Sequence, residues 1–171
     1  RRHAAEGLAW TKAVMTKLGL TLNETKTSVK TARTERFDFL GYTFGPHHYR
    51  KDGHWYLGAS PSKKSVQRFK TKVGELLVPG NKGSWPVVCD QLNSLLRGWS
   101  TYFSYGTRLS AYHEIDNHVY DRVRHFLVRR YKVQGRGTQR FSHDTDFGKL
   151  GVLHLRRVHI GPPSFTSRCT W

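Results

Sequence analysis

Cysteine is scarce in this chain, and long apolar runs are missing. Cys89 and Cys169 are the only two cysteines among 171 residues, and they lie far apart with no metal-like spacing. Two such cysteines fit a reducing compartment. No apolar run approaches the roughly 20 residues that a membrane span needs, and no signal peptide is visible. The sequence therefore gives no indication of a membrane-spanning segment.

Acidic residues are also few. Asp and Glu number 12 against 29 Lys and Arg, which gives a formal charge of +17. Folding does not need this excess, so it points to a polyanionic partner, either nucleic acid or an anionic membrane surface. Hydrophobic residues make up 37% and aromatic residues 13%, enough for a core in one domain or two small ones. Because the first residue is Arg1 rather than Met, we expect a piece of a longer protein.

The first third of the chain predicts one helix and several short strands. Apolar spacing predicts a helix from Ala4 to Leu18. Residues 28–32 and 37–44 are β-branched or aromatic and read as strands. Residues 47–57 predict a hairpin with Asp52-Gly53 as its turn.

Three helices are predicted next, over residues 62–77, from Ser84 towards Gly106, and from Ser110 onwards. Their expected apolar stripes are Val66, Phe69, Val73, Leu76 and Leu77; Val88, Leu92, Leu95, Leu96, Trp99 and Phe103; and Tyr112, Ile115, Val119, Val123 and Phe126. A strand is expected over residues 149–160 of the mixed tail. The fold class is thus α+β: a small helix with short antiparallel strands, a three-helix bundle, and a basic, partly irregular C-terminal tail.

The stretch "NSLLRGWSTYFSYG", residues 93–106, concentrates aromatic rings around one arginine. At 100° per residue, Trp99 and Phe103 fall on the apolar stripe and are expected in the core. Arg97 and Tyr105 fall away from it and are free to face a partner. Tyr102 lies on the flank, where either role is open.

Basic residues form stripes off the apolar faces of two of these helices. A solvated face is the common explanation of a charge run, but two unbalanced stripes in a chain of charge +17 favour nucleic acid. An exposed tyrosine beside an arginine adds a stacking surface for unpaired bases. The candidate RNA-binding residues are Lys63, Lys64, Arg68, Lys72, Arg97, Tyr105, Arg122, Arg129, Lys132 and Arg136.

Four motifs in order are more specific than any of these patterns. "LGLTLNETKT", "FDFLGYTF", "PSKKSVQRFKTKV" and "LNSLLRGWSTYFSYG" resemble the C-terminal half of a group II intron reverse transcriptase/maturase. The resemblance implies the end of a polymerase palm with its primer-grip hairpin over residues 1–60, a thumb (domain X) bundle over 61–132, and a basic extension over 133–171. It also implies intron RNA and a template–primer duplex as partners, with DNA as a further one, in a bacterial-type cytoplasm or an organelle.

The resemblance also implies roles for particular residues. Lys26 matches a palm lysine near the phosphates of the incoming nucleotide, where a surface lysine in a turn is the alternative. The primer grip maps onto Phe39, Leu40, Gly41 and Tyr42.

The catalytic residues of that family have no counterpart here. Its two metal ions are held by carboxylates of earlier palm motifs, and this sequence has no adjacent Asp-Asp. Asp144 and Asp146 are the one close pair of aspartates, in a tail loop at the wrong end of the chain. We therefore expect no catalytic residue, metal site or cofactor in this chain, with Mg²⁺ needed only in the complete polymerase. The alternatives are one part of a split RNA-directed DNA polymerase and a basic structural RNA-binding protein.

Overall fold

The computed structural model describes residues 2–48, 53–142 and 145–158. It combines helices with a three-stranded antiparallel sheet of order β1-β2-β3, which confirms the α+β class. No helix in the described part of the chain is long and apolar enough to cross a membrane. The elements are α1 (Arg2–Lys17), β1 (Phe37–Phe39), β2 (Tyr42–His48), β3 (Trp55–Pro61), α2 (Lys63–Leu76), α3 (Trp85–Tyr102), α4 (Leu109–Arg130), a π-helical turn (Thr145–Lys149) and a 3-10 turn (Leu155–Arg157).

Chain contacts divide the protein into two compact units. The first unit holds residues 1–37 and 44–57, and the second holds residues 38–43 and 58–171. Helix α1 of the first unit ends at Lys17, one residue before the predicted Leu18. Gly19 follows with φ +71°, and the Leu20 N–H donates to the Met15 carbonyl at 2.9 Å. The helix is largely exposed, with Trp10 70% accessible.

The strand predicted over residues 28–32 is wrong. The segment is irregular, and the Thr31 N–H donates to the Glu35 carboxylate at 2.7 Å. A side chain thus satisfies the backbone group that a partner strand would otherwise bind. The Asp52-Gly53 turn cannot be compared, because Asp52 lies outside the described residues; Gly53 has φ +77°.

Residues 37–44 form two strands and a tight turn instead of the one strand expected. Strand β1 ends at Phe39 and β2 begins at Tyr42, so Leu40 and Gly41 form a two-residue loop. Both have positive φ, +48° and +81°, as a type I′ hairpin turn requires. A positive φ is uncommon for leucine, so surrounding contacts must hold this turn in place.

Helices α2, α3 and α4 form the hydrophobic core of the second unit, and their predicted stripes are confirmed. Leu76, Leu95 and Trp99 are partly buried against the core, and the other stripe residues are buried. Ser62 caps α2, its Oγ accepting from the Ser65 N–H at 3.2 Å. Helix α4 begins one residue before the expected cap Ser110, with Arg108 at the N-cap position.

Residues 147–157 close the second unit as an irregular segment, and the strand expected there is wrong over the described residues 149–158. Asn93 of α3 donates to the Gly151 carbonyl at 2.8 Å and accepts from the Leu153 N–H at 2.7 Å. Asp116 of α4 accepts from the Leu155 N–H at 2.9 Å. Helix side chains therefore satisfy the backbone of this segment, which buries Val152 and Leu155 in the core.

Candidate nucleic-acid interface

The turn at Leu40 and Gly41 is held by hydrogen bonds from α2 and α3. The Leu40 carbonyl accepts from the Tyr102 hydroxyl at 2.8 Å. The Gly41 carbonyl accepts from the Ser62 N–H at 2.8 Å and from the Ser65 hydroxyl at 2.9 Å. Three bonds to two consecutive carbonyls fix the turn against the ends of both helices.

Strand β2 completes this attachment. The Tyr42 hydroxyl donates to the Tyr102 carbonyl at 2.8 Å, and its ring packs on Phe103 with centroids 4.9 Å apart. Burial raises the pKa of the Tyr42 phenol, which keeps it a neutral donor. A Cβ on Gly41 would lie 2.9 Å from the Ser65 Oγ, so only glycine fits both the positive φ and the contact.

A groove of about 500 Å³ opens beside this turn, between α2 and α3. Phe69 and Trp99, with ring centroids 5.3 Å apart, contribute aromatic surface, and the exposed Arg68 and Lys72 contribute positive charge. Among the residues that the structure describes, no acidic side chain lines it. The lining residues are Leu40, Gly41, Ser65, Arg68, Phe69, Lys72, Ser94, Leu95, Gly98, Trp99, Tyr102 and Phe103.

Gly98 leaves bare helix backbone in the groove. It lies inside α3, and a Cβ built on it meets nothing within 4 Å. Glycine in the interior of a helix costs roughly 0.5–1 kcal/mol relative to alanine. Neither packing nor backbone conformation requires glycine here. The residue is best explained by a partner that approaches the helix backbone closely at this position.

The division of the aromatic rings agrees with the structure. Phe103 is buried, and Trp99 packs against the core. Tyr105 is 56% accessible and Arg97 is exposed. Tyr102, for which core and partner-facing roles were both open, is not a core residue: its ring is 55% accessible, and its hydroxyl holds the turn.

The remaining candidate cations lie outside the groove. Lys63 and Lys64 are exposed at the start of α2. On α4, Arg122 is half-buried and donates to the Gly74 carbonyl at 3.4 Å, so it also joins two helices. Arg129 is exposed in the last turn of that helix, and Lys132 and Arg136 are exposed beyond it.

Lys26 belongs to the first unit. It is exposed in a turn, where its N–H donates to the Asn23 carbonyl at 3.1 Å. Of the predicted primer-grip residues, Phe39 is 59% and Leu40 67% accessible. Large apolar side chains exposed at the tip of a fixed turn are available to a partner.

Sequence reasoning missed the residues that attach the turn. Ser62 and Ser65 were only included in the helix predicted over residues 62–77. The Tyr102 hydroxyl carried no local signal, because its acceptor is 62 residues away. Gly98 was part of a recognised motif, and an unexplained glycine inside a helical pattern could have marked the groove.

No group of three His, Cys, Asp or Glu side chains that could hold a metal ion occurs among the residues the structure describes. Asp144 and the side chain of Asp146 lie outside that description. No carboxylate chemistry is therefore assigned to the groove.

A basic helical bundle with an aromatic, positively charged groove is typical of nucleic-acid-binding domains. Residues 66–142 match the family model of the group II intron maturase-specific domain. The match confirms the recognition of a maturase C-terminal region within these residues. A group II intron maturase domain implies a role in intron splicing and intron RNA as its partner. The comparison with curated proteins gave no match.

Proposed function

We propose that the groove between α2 and α3 grips structured intron RNA, and that in the complete reverse transcriptase the same surface grips the template–primer duplex, including its DNA strand. The maturase match supports the RNA partner and covers the groove residues of both helices except Ser65. The proposal adds where the RNA lies and which residues hold it.

One observation carries this proposal: the fixed turn, the two cations and the bare backbone of Gly98 line a single groove. Arg68 and Lys72 neutralise phosphates, which gives affinity without dependence on sequence. The exposed Leu40 side chain lies on a turn that three hydrogen bonds hold in one conformation. An A-form helix is recognised largely by its shape, its phosphates and its 2′-hydroxyls, and a rigid groove suits that recognition.

The catalytic part of the complete polymerase lies elsewhere under this proposal. Two-metal chemistry needs clustered carboxylates, and the described residues offer none. Any Mg²⁺ would therefore be held by other residues of the complete enzyme. We also place the protein with its intron in a reducing compartment, either a bacterial cytoplasm or an organelle, and the buried free thiol of Cys89 is compatible with that placement.

A salt titration of RNA binding tests the groove. Arg68→Gln with Lys72→Gln should weaken binding to an intron RNA hairpin and lower the slope of log affinity against log salt by about one unit or slightly less per lost contact. Lys149→Gln with Arg157→Gln removes the same charge from exposed positions outside the groove and serves as the control.

The two variants separate the outcomes. Unchanged affinity and slope in the groove variant would overturn the proposal. Equal losses in groove and control variants would mean that overall charge, rather than the groove, binds RNA. Equal affinity of the parent for intron RNA and an unrelated RNA of the same size would favour a general structural RNA-binding protein.

A further inference from the structure

A second basic pocket lies at the other end of the bundle. It has a volume of about 390 Å³ and shares no lining residue with the groove. The α2–α3 loop and the last turns of α4 form it. We call this cavity the loop pocket. Its lining residues are Pro79, Asn81, Lys82, Phe126, Arg129 and Arg130.

The loop pocket concentrates positive charge. Lys82, Arg129 and Arg130 line it together, and no acidic side chain of the described residues lines it. None of the three forms an ion pair within the described part of the chain. The macrodipole of α4 accounts for arginines in its last turn, but not for Lys82, which comes from a different element. Three cations from two elements around one cavity are the arrangement expected of an anion site.

Its walls are fixed before any ligand binds. Asn81 donates to the Leu76 carbonyl at 2.9 Å and accepts from the Gly83 N–H at 3.0 Å. These bonds hold the loop that carries Lys82. On the opposite wall, the Arg130 guanidinium lies 5.7 Å from the centroid of the Phe126 ring. A site that is already ordered spends less conformational entropy on binding.

The loop pocket is remote from the groove along α3. Lys82 precedes the first residue of that helix, Trp85, whereas Gly98 lies 13 residues further on. At a rise of about 1.5 Å per residue, that interval is roughly 20 Å. A ligand that reaches both sites must be an extended polyanion, which a structured RNA is and a free phosphate is not.

We infer that the loop pocket is a second RNA-phosphate site, which holds neighbouring backbone phosphates of the same RNA that occupies the groove. The inference rests on the proposed function of the groove. Two linked contacts raise affinity through effective concentration, but only for an RNA long enough to reach both. RNA length therefore becomes the diagnostic variable.

The test compares a hairpin of about 16 base pairs with an oligonucleotide of about four nucleotides. These are the lengths of RNA that known long and short RNA-binding modules contact. Arg129→Gln with Arg130→Gln should reduce the salt slope for the long hairpin by nearly two units, since two phosphate contacts are lost. When the salt concentration rises from about 50 mM to about 200 mM, the affinity of the parent should therefore fall by a factor roughly ten times larger than that of the variant. At a concentration where the parent binds the short RNA through the groove, this variant should bind it equally well.

The groove variant distinguishes failure of this inference from failure of the proposed function. Arg68→Gln with Lys72→Gln should lose affinity for both RNAs. If it does so while the loop-pocket variant matches the parent on the long hairpin, the groove stands and the second site is overturned. If both variants match the parent, the proposed function itself fails.

Two further results would also overturn the inference. An equal loss on short and long RNA would make the loop pocket an independent site. Phosphate-induced NMR shifts at Lys82 and Arg129, without any change in hairpin affinity in the variant, would indicate a small-anion site. Lys82→Gln removes one charge from the exposed loop and leaves the Arg130–Phe126 contact intact. It should give about half the change in slope, and it keeps the test valid if the double variant does not fold.

Discussion

Trp99 serves both the core and the groove. Its ring centroid lies 4.6 Å from that of Phe103 and 5.8 Å from that of Tyr112, whose hydroxyl donates to the Ser100 carbonyl at 3.0 Å. Trp99→Ala should lower the free energy of unfolding by roughly 3 kcal/mol, the lower end of the range for core aromatics, because the ring is only partly buried. Chemical denaturation measures this loss.

Tyr105→Ala is the matched control for Trp99, since it truncates an exposed ring in the same segment. It should change stability by no more than about 0.5 kcal/mol. Equal losses in the two variants would contradict the assignment of Trp99 to the core.

Gly98→Ala should separate stability from binding. A methyl group on α3 meets no neighbour and favours the helix, so the free energy of unfolding should rise by roughly 0.5–1 kcal/mol. The same methyl group enters the groove, so affinity for the RNA hairpin should fall. Thermal melting and an RNA titration of the same sample measure the two effects.

Gly7→Ala in α1 provides the comparison for Gly98, because it also lies inside a helix with nothing within 4 Å of its Cβ. It should stabilise its helix and leave RNA affinity unchanged. A Gly98 variant that binds as well as the parent would show that RNA does not approach this backbone.

At the scale of elements, the turn between β1 and β2 is the most demanding piece. Gly41→Ala places a Cβ 2.9 Å from the Ser65 Oγ and 3.2 Å from Phe103, at φ +81°. Backbone strain alone should lower the free energy of unfolding by roughly 1–3 kcal/mol. The close approach to Ser65 and Phe103 should lower it further. Denaturation measures the total cost.

Gly19→Ala isolates the backbone part of that cost. Gly19 has φ +71° and nothing within 4 Å, so its variant suffers strain without a clash. If Gly41→Ala costs no more than Gly19→Ala, the contacts around the turn do not matter for stability.

The elements also show how far the sequence predicts this fold. The three bundle helices follow from their apolar stripes, because burial of one face is a local, periodic signal. The strands expected over residues 28–32 and 149–160 were wrong, the second over its described residues 149–158. A side chain such as Asn93 can satisfy backbone groups in a segment whose sequence resembles a strand. The sequence predicts the cations of the site but not the hydrogen bonds that hold its turn. Charge marked Arg68 and Lys72, but the bond from Tyr102 to Leu40 depends on tertiary structure alone.

For the whole molecule, pH should act on stability through His118. Burial lowers the pKa of His118, and the nearby charges of Lys70 and Arg122 lower it further. A histidine with a depressed folded-state pKa stabilises the fold above its unfolded pKa of about 6.5, and that stability is lost as the pH falls below it. The parent should therefore melt at progressively lower temperature as the pH falls from about 7.

His118→Gln removes this titration, so its melting temperature should vary less with pH over the same interval. The buried Asp116 carboxyl does not mimic the effect. Burial raises its pKa, so its contribution to stability is lost as the pH rises. A variant whose melting temperature falls with pH as steeply as the parent's would exclude His118 as the cause.

The segment formed by residues 147–157 covers an apolar surface of the bundle, and its removal should promote aggregation. It supplies the buried Val152 and Leu155, yet it lies beyond residue 142, where the family match ends. A chain cut after Ser142 would leave an uncovered apolar seam on the bundle, a surface prone to self-association. Light scattering should detect oligomers of that shortened chain at concentrations where a chain cut after Val158 stays monodisperse. The segment of this protein that folds cleanly is therefore longer than the part that a family match would delimit.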